Sequence, residues 1–296
     1  MTNPYFDLQQ VSHIYTDGTH ALTDITLTLP KGKKIALLGH NGAGKSTLFQ
    51  HLNGILQPTT GTISFCGQPL SYNKKAYQTL RQQVGIVFQD ADNQLFAGTV
   101  KQDIAFGPLN LGWSMEKIEE KIAWAVTQTE VEDLLDKPIH FLSMGQKKRV
   151  AIAGILAMEP SVLLLDEPTA GLDNYYAAQI LRCLKKLENG ERTILLATHD
   201  IQLVYEWADQ IIVMEAGKII YNGDPVALFY QDALLAKAHL ERPWVFEMAC
   251  LLQQQQLLNP ATIMPRSKID LQQIILAQQS ITPRRNCVGI LNCACT

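Results

Sequence analysis

Residues 39–46, which read GHNGAGKS, carry glycine, lysine and serine at a spacing suited to binding phosphate groups. They fit the pattern GxxxxGK(S/T). Glycines let the backbone turn with its amides pointing inward, so the N–H groups and the start of a following helix can surround an anion. In such a loop Lys45 reaches the β- and γ-phosphates and Ser46 binds Mg²⁺. The predicted chemistry is the binding of a nucleoside triphosphate with magnesium.

The segments on either side decide between this chemistry and an unliganded glycine-rich turn. A short apolar run, Ile35 to Leu38, precedes the loop, and residues 47–52 have the composition of a helix start. A strand before the loop and a helix after it are the structural context that the phosphate-binding pattern requires. Nucleotide binding is therefore the favoured interpretation.

Two further apolar runs end in residues that could act on a bound nucleotide. Residues 162–165 are continuously apolar and lead to Asp166 and Glu167, while residues 193–198 lead to His199. Such runs are typical of parallel strands buried on both faces, and ligands bind at the carboxyl ends of these strands. We expect Asp166 to reach the Mg²⁺ held by Ser46 and Glu167 to face an attacking water. A lone histidine is more often structural, but this one follows a core strand beside the expected γ-phosphate.

A second helix start carries a capping box. Ser143 stands three residues before Gln146, ahead of the helical pattern Ala151, Ile152, Ile155. Ser143 and Gly145 then lie at a helix N-terminus, where free N–H groups and a positive dipole favour an anion. The alternative is an ordinary cap without a ligand.

The amino-terminal segments predict an antiparallel hairpin, residues 6–15 and 21–29, around a turn at residues 16–19. Tyr15 lies about 24 residues before the phosphate loop and could stack on an adenine ring, although a core or edge tyrosine is as good an explanation. Short β-rich runs at residues 62–65 and 84–88 follow, the second ending at Gln89. Residues 99–158 then take a helical period, and a closing hairpin is predicted at residues 210–221.

Composition limits the remaining choices. The chain has 296 residues, of which 47% are hydrophobic and 18% charged, and its net charge is −3, so no global charge attracts nucleic acid. No apolar run approaches the roughly 18 residues of a membrane span, and the polar start lacks the features of a signal peptide, which predicts a cytosolic chain.

Six cysteines form no disulfide framework, and we expect Cys66, Cys183 and Cys250 to be small core residues.

The tail beyond residue 236 is rich in glutamine and keeps a helical period. Trp244, Met248 and Leu251 share one pattern, and a second follows a capping box from Ser267 to Asp270. Two or three helices are predicted, packed on the core or on a sister subunit. The spacing CxxxxxCxC of the three last cysteines could bind a thiophilic metal but matches no closed zinc pattern, so a frayed end is favoured. These residues are Cys287, Cys293 and Cys295.

Taken together, the motifs resemble the nucleotide-binding subunit of an ATP-binding cassette (ABC) transporter, over residues 5–235. Residues 39–46 resemble the Walker A loop, residues 163–167 the Walker B strand with its catalytic glutamate, and residues 142–146 (LSMGQ) the LSGGQ signature. Gln89 resembles the Q-loop, residues 170–173 the D-loop with Asp173, His199 the switch histidine and Tyr15 the adenine-stacking aromatic. The implied fold is an α/β P-loop NTPase of the RecA-like type with an antiparallel β subdomain and a helical signature subdomain. The implied division is an ATP-binding domain at residues 1–235 and a C-terminal helical extension at residues 236–296.

Residues 87–96 (VFQDADNQLF) and 145–158 (GQKKRVAIAGILAM) resemble more narrowly the energy-coupling-factor ATPases, and among them the cobalt-type group called CbiO. This resemblance implies a peripheral ATPase on the cytoplasmic face of the inner membrane, bound to a transmembrane coupling subunit and a substrate-capture subunit, and importing cobalt or nickel ions. Import of a vitamin is the main alternative. A chromosome or DNA-repair ATPase is a remote one, because no long coiled coil interrupts the chain, and a non-hydrolysing regulator is disfavoured by Glu167, Gln89 and His199.

The family resemblance also implies residue roles and a dimer, since one active site combines the Walker A loop of one subunit with the signature of another. ATP is expected between two copies of the chain, or between the chain and a paralogue, with no nucleic acid partner. Catalysis is assigned to Glu167, His199 and Gln89, and Mg²⁺ to Ser46, Gln89 and Asp166. The residues expected to contact ATP are Tyr15, Gly39, His40, Asn41, Gly42, Ala43, Gly44, Lys45, Ser46, Thr47, Ser143, Gly145 and Asp173.

Met144 departs from the signature, where the family has glycine, and we expect activity to survive this change. Leu95 and Phe96 are expected either in a groove for the membrane subunit or in the core.

Overall fold

The computed structural model describes residues 3–188, 190–259 and 261–281. Ten strands and eleven α-helices lie within these ranges. The strands are β1 (Phe6–Ile14), β2 (His20–Leu29), β3 (Lys34–Leu38), β4 (Thr60–Phe65), β5 (Gln68–Pro69), β6 (Val84–Val87), β7 (Val162–Asp166), β8 (Thr193–Ala197), β9 (Gln210–Glu215) and β10 (Lys218–Gly223). The helices are α1 (Lys45–Leu52), α2 (Lys74–Gln83), α3 (Val100–Asn110), α4 (Met115–Thr129), α5 (Met144–Leu156), α6 (Asn174–Lys186), α7 (Ile201–Trp207), α8 (Pro225–Phe229), α9 (Asp232–Ala238), α10 (Trp244–Gln254) and α11 (Lys268–Ile281).

A six-stranded sheet forms the centre, in the order β10-β9-β3-β8-β7-β6. Its strands from β9 to β6 are parallel, and β10 pairs antiparallel to β9 at one edge. Every residue of β7 and β8 is buried, as expected of parallel strands covered on both faces. The predicted apolar strands and the α/β fold class are confirmed. This topology brings the ends of β3, β7 and β8 to one rim.

A four-stranded antiparallel sheet, in the order β2-β1-β4-β5, packs against one face of the central sheet. The predicted hairpin of β1 and β2 is confirmed, with Phe6 opposite Leu29. The inward-facing residues of β1, such as Leu8, share a core with Leu37 of β3 and Phe49 of α1. The helix that follows the phosphate loop is thus held between the two sheets.

The helical subdomain comprises α3, α4 and α5. Ile118, Ile122 and Val126 of α4 are buried at the predicted helical spacing, in a core shared with Val150 of α5 and Leu165 of β7. Because α5 shares this core with β7, the position of its N-terminus is coupled to that of the central sheet.

The segment past residue 236 packs against helices α7 and α8. Phe246 of α10 is buried against Tyr205 of α7 and Phe229 of α8, with ring centroids 6.0 and 6.1 Å away. The Tyr205 hydroxyl donates to the carbonyl of Pro265 at 3.0 Å, and Arg266 Nε donates to the carbonyl of Tyr205 at 2.7 Å. Plain packing, one of the two alternatives for the tail, accounts for the buried faces of α10 and α11.

The cysteine prediction is partly wrong. Cys183 is fully buried and Cys250 is partly buried against a core cluster, but Cys66 follows β4 in a turn with φ +50° and is only half-buried. The turn places Cys66 outside the core although it follows the partly buried Phe65. Cys287, Cys293 and Cys295 lie outside the described residues. Within the described ranges, no helix is both long enough and apolar enough to cross a bilayer.

Candidate nucleotide site at the rim of the central sheet

The phosphate loop leaves the end of β3 and enters α1, as its flanking segments predict. Gly39 has φ +152° and Gly44 has φ +102°, conformations that a side chain disfavours. A Cβ on Gly39 would lie 2.5 Å from the carbonyl oxygen of Met214, and one on Gly44 would lie 2.6 Å from that of Ala21. Both glycines are therefore required by close backbone approach, and together they form a turn whose amides can line an anion site.

Lys45 lies inside this loop rather than in solvent. Its Nζ donates to the carbonyl of Gly39 at 2.6 Å and to that of His40 at 3.2 Å. Burial lowers the pKa of Lys45, while the nearby carboxylates of Glu167 and Asp166 raise it. The ammonium group is thus held over the loop, next to the two acids that follow β7.

Those acids are both buried. Burial raises the pKa of Asp166, and the hydroxyl of Ser46 and the charges of Lys45 and His199 oppose this rise. Burial also raises the pKa of Glu167, to which the charge of Asp166 adds. Glu167 has φ +47°, which is uncommon for a residue with a side chain. Buried carboxylates with perturbed pKa values at a strand end are typical of functional sites.

His199 reaches the same group from the end of β8. Its Nε2 lies 2.9 Å from Oε1 of Glu167 and 3.1 Å from Oδ1 of Asn41. Burial and the charge of Lys45 lower the pKa of His199, and the charge of Asp166 opposes this fall. The amide oxygen of Asn41 can only accept, so His199 Nε2 is the donor in the hydrogen bond between them. His199 therefore connects the phosphate loop with the acid after β7.

A cavity of about 400 Å³ lies in front of the loop. Tyr15 stands on its edge, with its hydroxyl 3.0 Å from Oγ1 of Thr47, and is partly exposed, so the core alternative for Tyr15 does not describe its position. The residues that line the cavity are Tyr15, Thr19, His20, Ala21, Asn41, Gly42, Gly44, Lys45, Ser46, Thr47, Gln89, Asp166 and Glu167. Most of the predicted nucleotide and magnesium residues are thus brought to one cavity.

Three of the phosphate-loop residues that are predicted to contact ATP do not line this cavity. The Ala43 side chain is fully buried, so only its backbone faces the loop. His40 points outward, with Nε2 3.2 Å from Oε2 of Glu215. Gly39, which lines a neighbouring pocket with His40 and His199, receives the Lys45 ammonium on its carbonyl.

The signature residues are not part of this cavity. Ser143 caps α5: its hydroxyl accepts from Gln146 N at 3.4 Å, and Gln146 Oε1 accepts from Ser143 N at 2.9 Å, so the capping box is confirmed. A Cβ on Gly145 would lie 2.8 Å from Cδ1 of Tyr176. Asp173 caps α6 by accepting from Tyr176 N at 2.9 Å. Ser143 and Asp173 are exposed and Gly145 is buried, and none of the three lines the cavity of its own chain.

Met144 is 57% exposed and enters a cleft of about 660 Å³ that also reaches the rim. Its lining joins Ser46, Gln89 and Asp166 on one side with Met144, Lys147, Lys148 and Gly171 on the other. The departure from the family signature therefore points into open space and not into the core.

Sequence reasoning missed Lys148 and the role of Asn41 as a partner of His199. Lys148 Nζ donates to the carbonyls of Glu167 at 3.1 Å and Ala170 at 2.8 Å. Its position, three and four residues before Ala151 and Ile152, is on the buried face of α5, and that spacing was the available signal. The Asn41 contact joins residues 158 positions apart, so no local pattern indicates it.

The arrangement has the parts needed for phosphoryl transfer to water. Backbone amides and a lysine surround an anion site, and a buried carboxylate and a histidine stand beside it. Together with the sheet topology, this geometry defines a P-loop nucleotide-binding domain.

The comparisons with known proteins place the domain in a family. The family model described as ABC transporter matches residues 22–170. The energy-coupling factor transporter ATP-binding protein EcfA of Methanocaldococcus jannaschii is 48% identical over 241 residues, which is 81% of this chain and 86% of that protein. EcfA2 of Methanospirillum hungatei is 43% identical over 272 residues, 92% of this chain and 68% of that protein.

Solved structures agree. The structure of cbiO1 from Clostridium perfringens, part of the ABC transporter complex cbiONQ, has 45% identity and a TM-score of 0.70, and the match covers 79% of this chain and 94% of that one. A dimeric ATP-binding cassette in a post-hydrolysis state, bound to ADP and Pi, has 26% identity and a TM-score of 0.68 over 74% of this chain and 98% of that one. The chain belongs to the ABC transporter family and is an ATP-binding subunit of the energy-coupling-factor type, an ATPase.

Proposed function

We propose that this chain is the ATP-hydrolysing motor of an energy-coupling-factor importer and that cobalt or nickel ions are the cargo. The observation that carries the motor assignment is the meeting of Lys45, Asp166 and Glu167 around one cavity on the phosphate loop. The cargo assignment rests on the resemblance of residues 87–96 and 145–158 to the cobalt-type group.

Magnesium is proposed at Ser46, Gln89 and Asp166. These three residues line the same cavity and present hydroxyl, amide and carboxylate oxygens, the donors that Mg²⁺ prefers. The hydrogen bond between Ser46 and Asp166 and the raised pKa of Asp166 fit a site in which a cation compensates a buried carboxylate. When bound, the ion would neutralise charge on the β- and γ-phosphates.

Each side chain around the cavity has its own proposed role in binding or hydrolysis. Lys45, together with the amides of the loop, would bind the phosphates, and Tyr15 would stack on adenine. Glu167 would orient or deprotonate the attacking water, since its carboxylate lines the cavity and burial raises its pKa, which makes it a stronger base. His199, holding a proton on Nε2, would donate to the γ-phosphate, and Gln89 would contact the water and the cation.

Completion of the site by a second subunit is proposed from the separation of Ser143 from the cavity. The N-terminus of α5 carries free N–H groups and a positive dipole, and it lies on a surface apart from the loop of its own chain. In a dimer of this chain, or with a paralogue, Ser143 and Gly145 of the partner would close over the ATP. Asp173 would lie beside them.

A docking surface for the transmembrane subunit is proposed around Phe96. Leu95 is buried, but Phe96 is 65% exposed and packs edge-on against Phe106, which is 46% exposed, with centroids 4.6 Å apart. Two exposed aromatic rings beside the loop that carries Gln89 suit an apolar helix of a membrane protein. Through this surface the chain would bind the coupling subunit on the cytoplasmic face of the membrane, with a substrate-capture subunit completing the transporter.

ATP hydrolysis by the purified chain tests the motor assignment. We expect magnesium-dependent release of phosphate that is abolished in Lys45→Ala, which removes the only lysine or arginine of residues 39–46. A wild type without hydrolysis, or a Lys45→Ala variant with wild-type rates, would contradict it.

Uptake in cells that express the complete transporter tests the cargo and the docking surface. We expect accumulation of radioactive cobalt or nickel, and not of a labelled vitamin, and loss of this uptake in Phe96→Asp while its purified ATPase rate stays within twofold of wild type. Ile263→Asp, the same kind of change at another apolar residue, which is 88% exposed and lies between α10 and α11, is the matched control. Uptake of a vitamin alone would refute the cargo, and full uptake by Phe96→Asp would refute the surface.

A further inference from the structure

Lys148, on the second turn of α5, is a buried lysine that no sequence motif assigned to the site. It is 3% exposed, and its two hydrogen-bond acceptors are main-chain carbonyls, those of Glu167 at 3.1 Å and Ala170 at 2.8 Å. Burying an ammonium group is costly unless it is hydrogen-bonded, and here burial lowers the pKa of Lys148. A lysine kept inside the protein at this cost has a specific position to maintain.

The two carbonyls bracket the turn that follows β7. Glu167 is in the left-handed region with φ +47°, a conformation that is unfavourable for a residue with a Cβ. Its N–H donates to Ala197 O at 2.9 Å, and its carbonyl accepts from Ala170 N at 3.1 Å as well as from Lys148. These bonds set the peptide planes on both sides of Glu167, and those planes determine where its carboxylate points.

The same helix carries the signature residues. Met144 Sδ lies 3.2 Å from the position of a Cβ on Gly171, and Gly145 lies directly against the Tyr176 ring. The start of α5 is therefore packed against residues 171–176. A displacement of α5, such as one produced when its N-terminus contacts an anion, would be passed to the Glu167 turn through the hydrogen bonds of the Lys148 ammonium.

We infer that Lys148 is a positioning residue that holds the Glu167 turn to the signature helix, so that engagement of Ser143 at one nucleotide aligns the carboxylate at the other. The inference deepens the proposed function and depends on it. Lys148 does not line the cavity in front of the phosphate loop, although it lines the neighbouring cleft with Ser46 and Asp166, and its hydrogen bonds are to the backbone of Glu167 and Ala170.

The test compares Lys148→Met with Lys121→Met in the full chain. Lys121 is also a helical lysine with two polar contacts, to Glu120 and Glu159, but it lies on the outer side of α4 and away from the site. Steady-state ATPase rates, the KM for ATP, thermal unfolding and single-turnover rates in a Glu167→Gln background are measured for each. Lys148→Gln, which keeps a donor, replaces the methionine variant should that one fail to fold.

We expect Lys148→Met to lower kcat at least tenfold with KM changed less than twofold, while Lys121→Met stays within twofold of wild type in both. Since Lys148 acts through Glu167, the same substitution should change the residual rate of the Glu167→Gln background less than twofold. An unchanged kcat in Lys148→Met, or an equal loss with and without Glu167, would overturn the inference. An inactive wild type would instead contradict the proposed function, so the two failures are distinguishable.

Discussion

Gly145 of α5 lies against Tyr176 of α6. A substitution at Gly145 therefore tests how these two helices pack. The helical backbone at Gly145 would accept an alanine, but the added Cβ would lie 2.8, 2.9 and 3.1 Å from Cδ1, Cγ and Cβ of Tyr176. Carbon atoms in favourable contact are about 3.5–4.0 Å apart. The Tyr176 ring or α5 must therefore move by roughly 0.7 Å to accommodate one methyl group.

Overpacking of this kind costs about 1–3 kcal/mol of folding free energy. Alanine in a helix gains up to about 1 kcal/mol over glycine, which offsets part of that cost. Gly145→Ala should consequently lower the free energy of unfolding by about 1–2 kcal/mol, with a fall in Tm of roughly 2–4 °C for each kcal/mol. The ATPase rate should fall as well, because the displaced helix carries Ser143.

Gly154→Ala is the matched control on the same helix. The nearest atom to its added Cβ is Cα of Ile104 at 3.9 Å, an ordinary contact, so only the helix gain remains. We expect this variant to be as stable as wild type or slightly more so, with unchanged activity.

A variant without the Tyr176 ring tests whether this ring causes the loss of stability in Gly145→Ala. In a Tyr176→Ala background the two nearest atoms are gone, and Gly145→Ala should cost less than half as much as in the wild type. Denaturant or thermal unfolding of the four proteins measures the coupling. Equal stability of the Gly145 and Gly154 variants, or additive effects of the Gly145 and Tyr176 changes, would refute the packing argument.

Three further predictions concern the site. Glu167→Gln should bind ATP, and its hydrolysis rate should fall about 10²- to 10⁴-fold, as expected for removal of a general base. With ATP it should accumulate as a closed dimer on size-exclusion chromatography. Wild-type turnover in this variant would exclude the role assigned to Glu167. Met144→Gly should change turnover less than twofold, because Met144 points into an open cleft, whereas Ser143→Arg should abolish it; a wild type that is inactive until Met144→Gly restores it would contradict this. The folded-state pKa of Asp166 is raised above its unfolded value, so the ionised carboxylate destabilises the apoprotein, and stability is gained as pH falls through the folded pKa toward the unfolded pKa. Asp166→Asn should therefore raise the apo Tm at pH 8 by more than near pH 4, which is close to the ordinary aspartate pKa of 3.8. It should also remove the stabilisation by Mg²⁺ and ATP that we expect of the wild type; an equal shift at both pH values would argue against the burial effect.

The sequence was sufficient for features encoded by local spacing. The glycine-rich loop, the apolar runs of β7 and β8 and the capping box at Ser143 each combine residue type and position within a few residues, and each predicted element is present. Parallel strands end on one rim, so the meeting of Asp166 with Ser46 followed from topology alone.

Contacts between distant elements could not be predicted in this way. The need for glycine at Gly145 comes from Tyr176, which lies 31 positions away in another helix, and Lys148 is buried because the β7 turn offers it two carbonyls. The exposed turn at Cys66 was missed because its conformation, φ +50°, is not indicated by the residue type. From the sequence, Phe96 could be a core residue or a surface residue. Its contact with Phe106 depends on how α3 packs, which no local pattern indicates.

The central claim is that each active site joins the phosphate loop of one copy to the signature helix of another, and a mixing experiment tests it most directly. Lys45→Ala and Ser143→Arg are each expected to be inactive alone. In a mixed dimer both changes fall in one site, and the other site is intact. A randomly mixed equimolar sample should therefore recover activity of at most about one quarter of the wild-type rate, from half of the dimers with one of two sites working, and the rate falls below this limit because the intact site uses Glu167 of the Ser143→Arg chain. Activity that stays at the sum of the separate variants, in a sample shown by mass spectrometry to contain mixed dimers, would contradict the account.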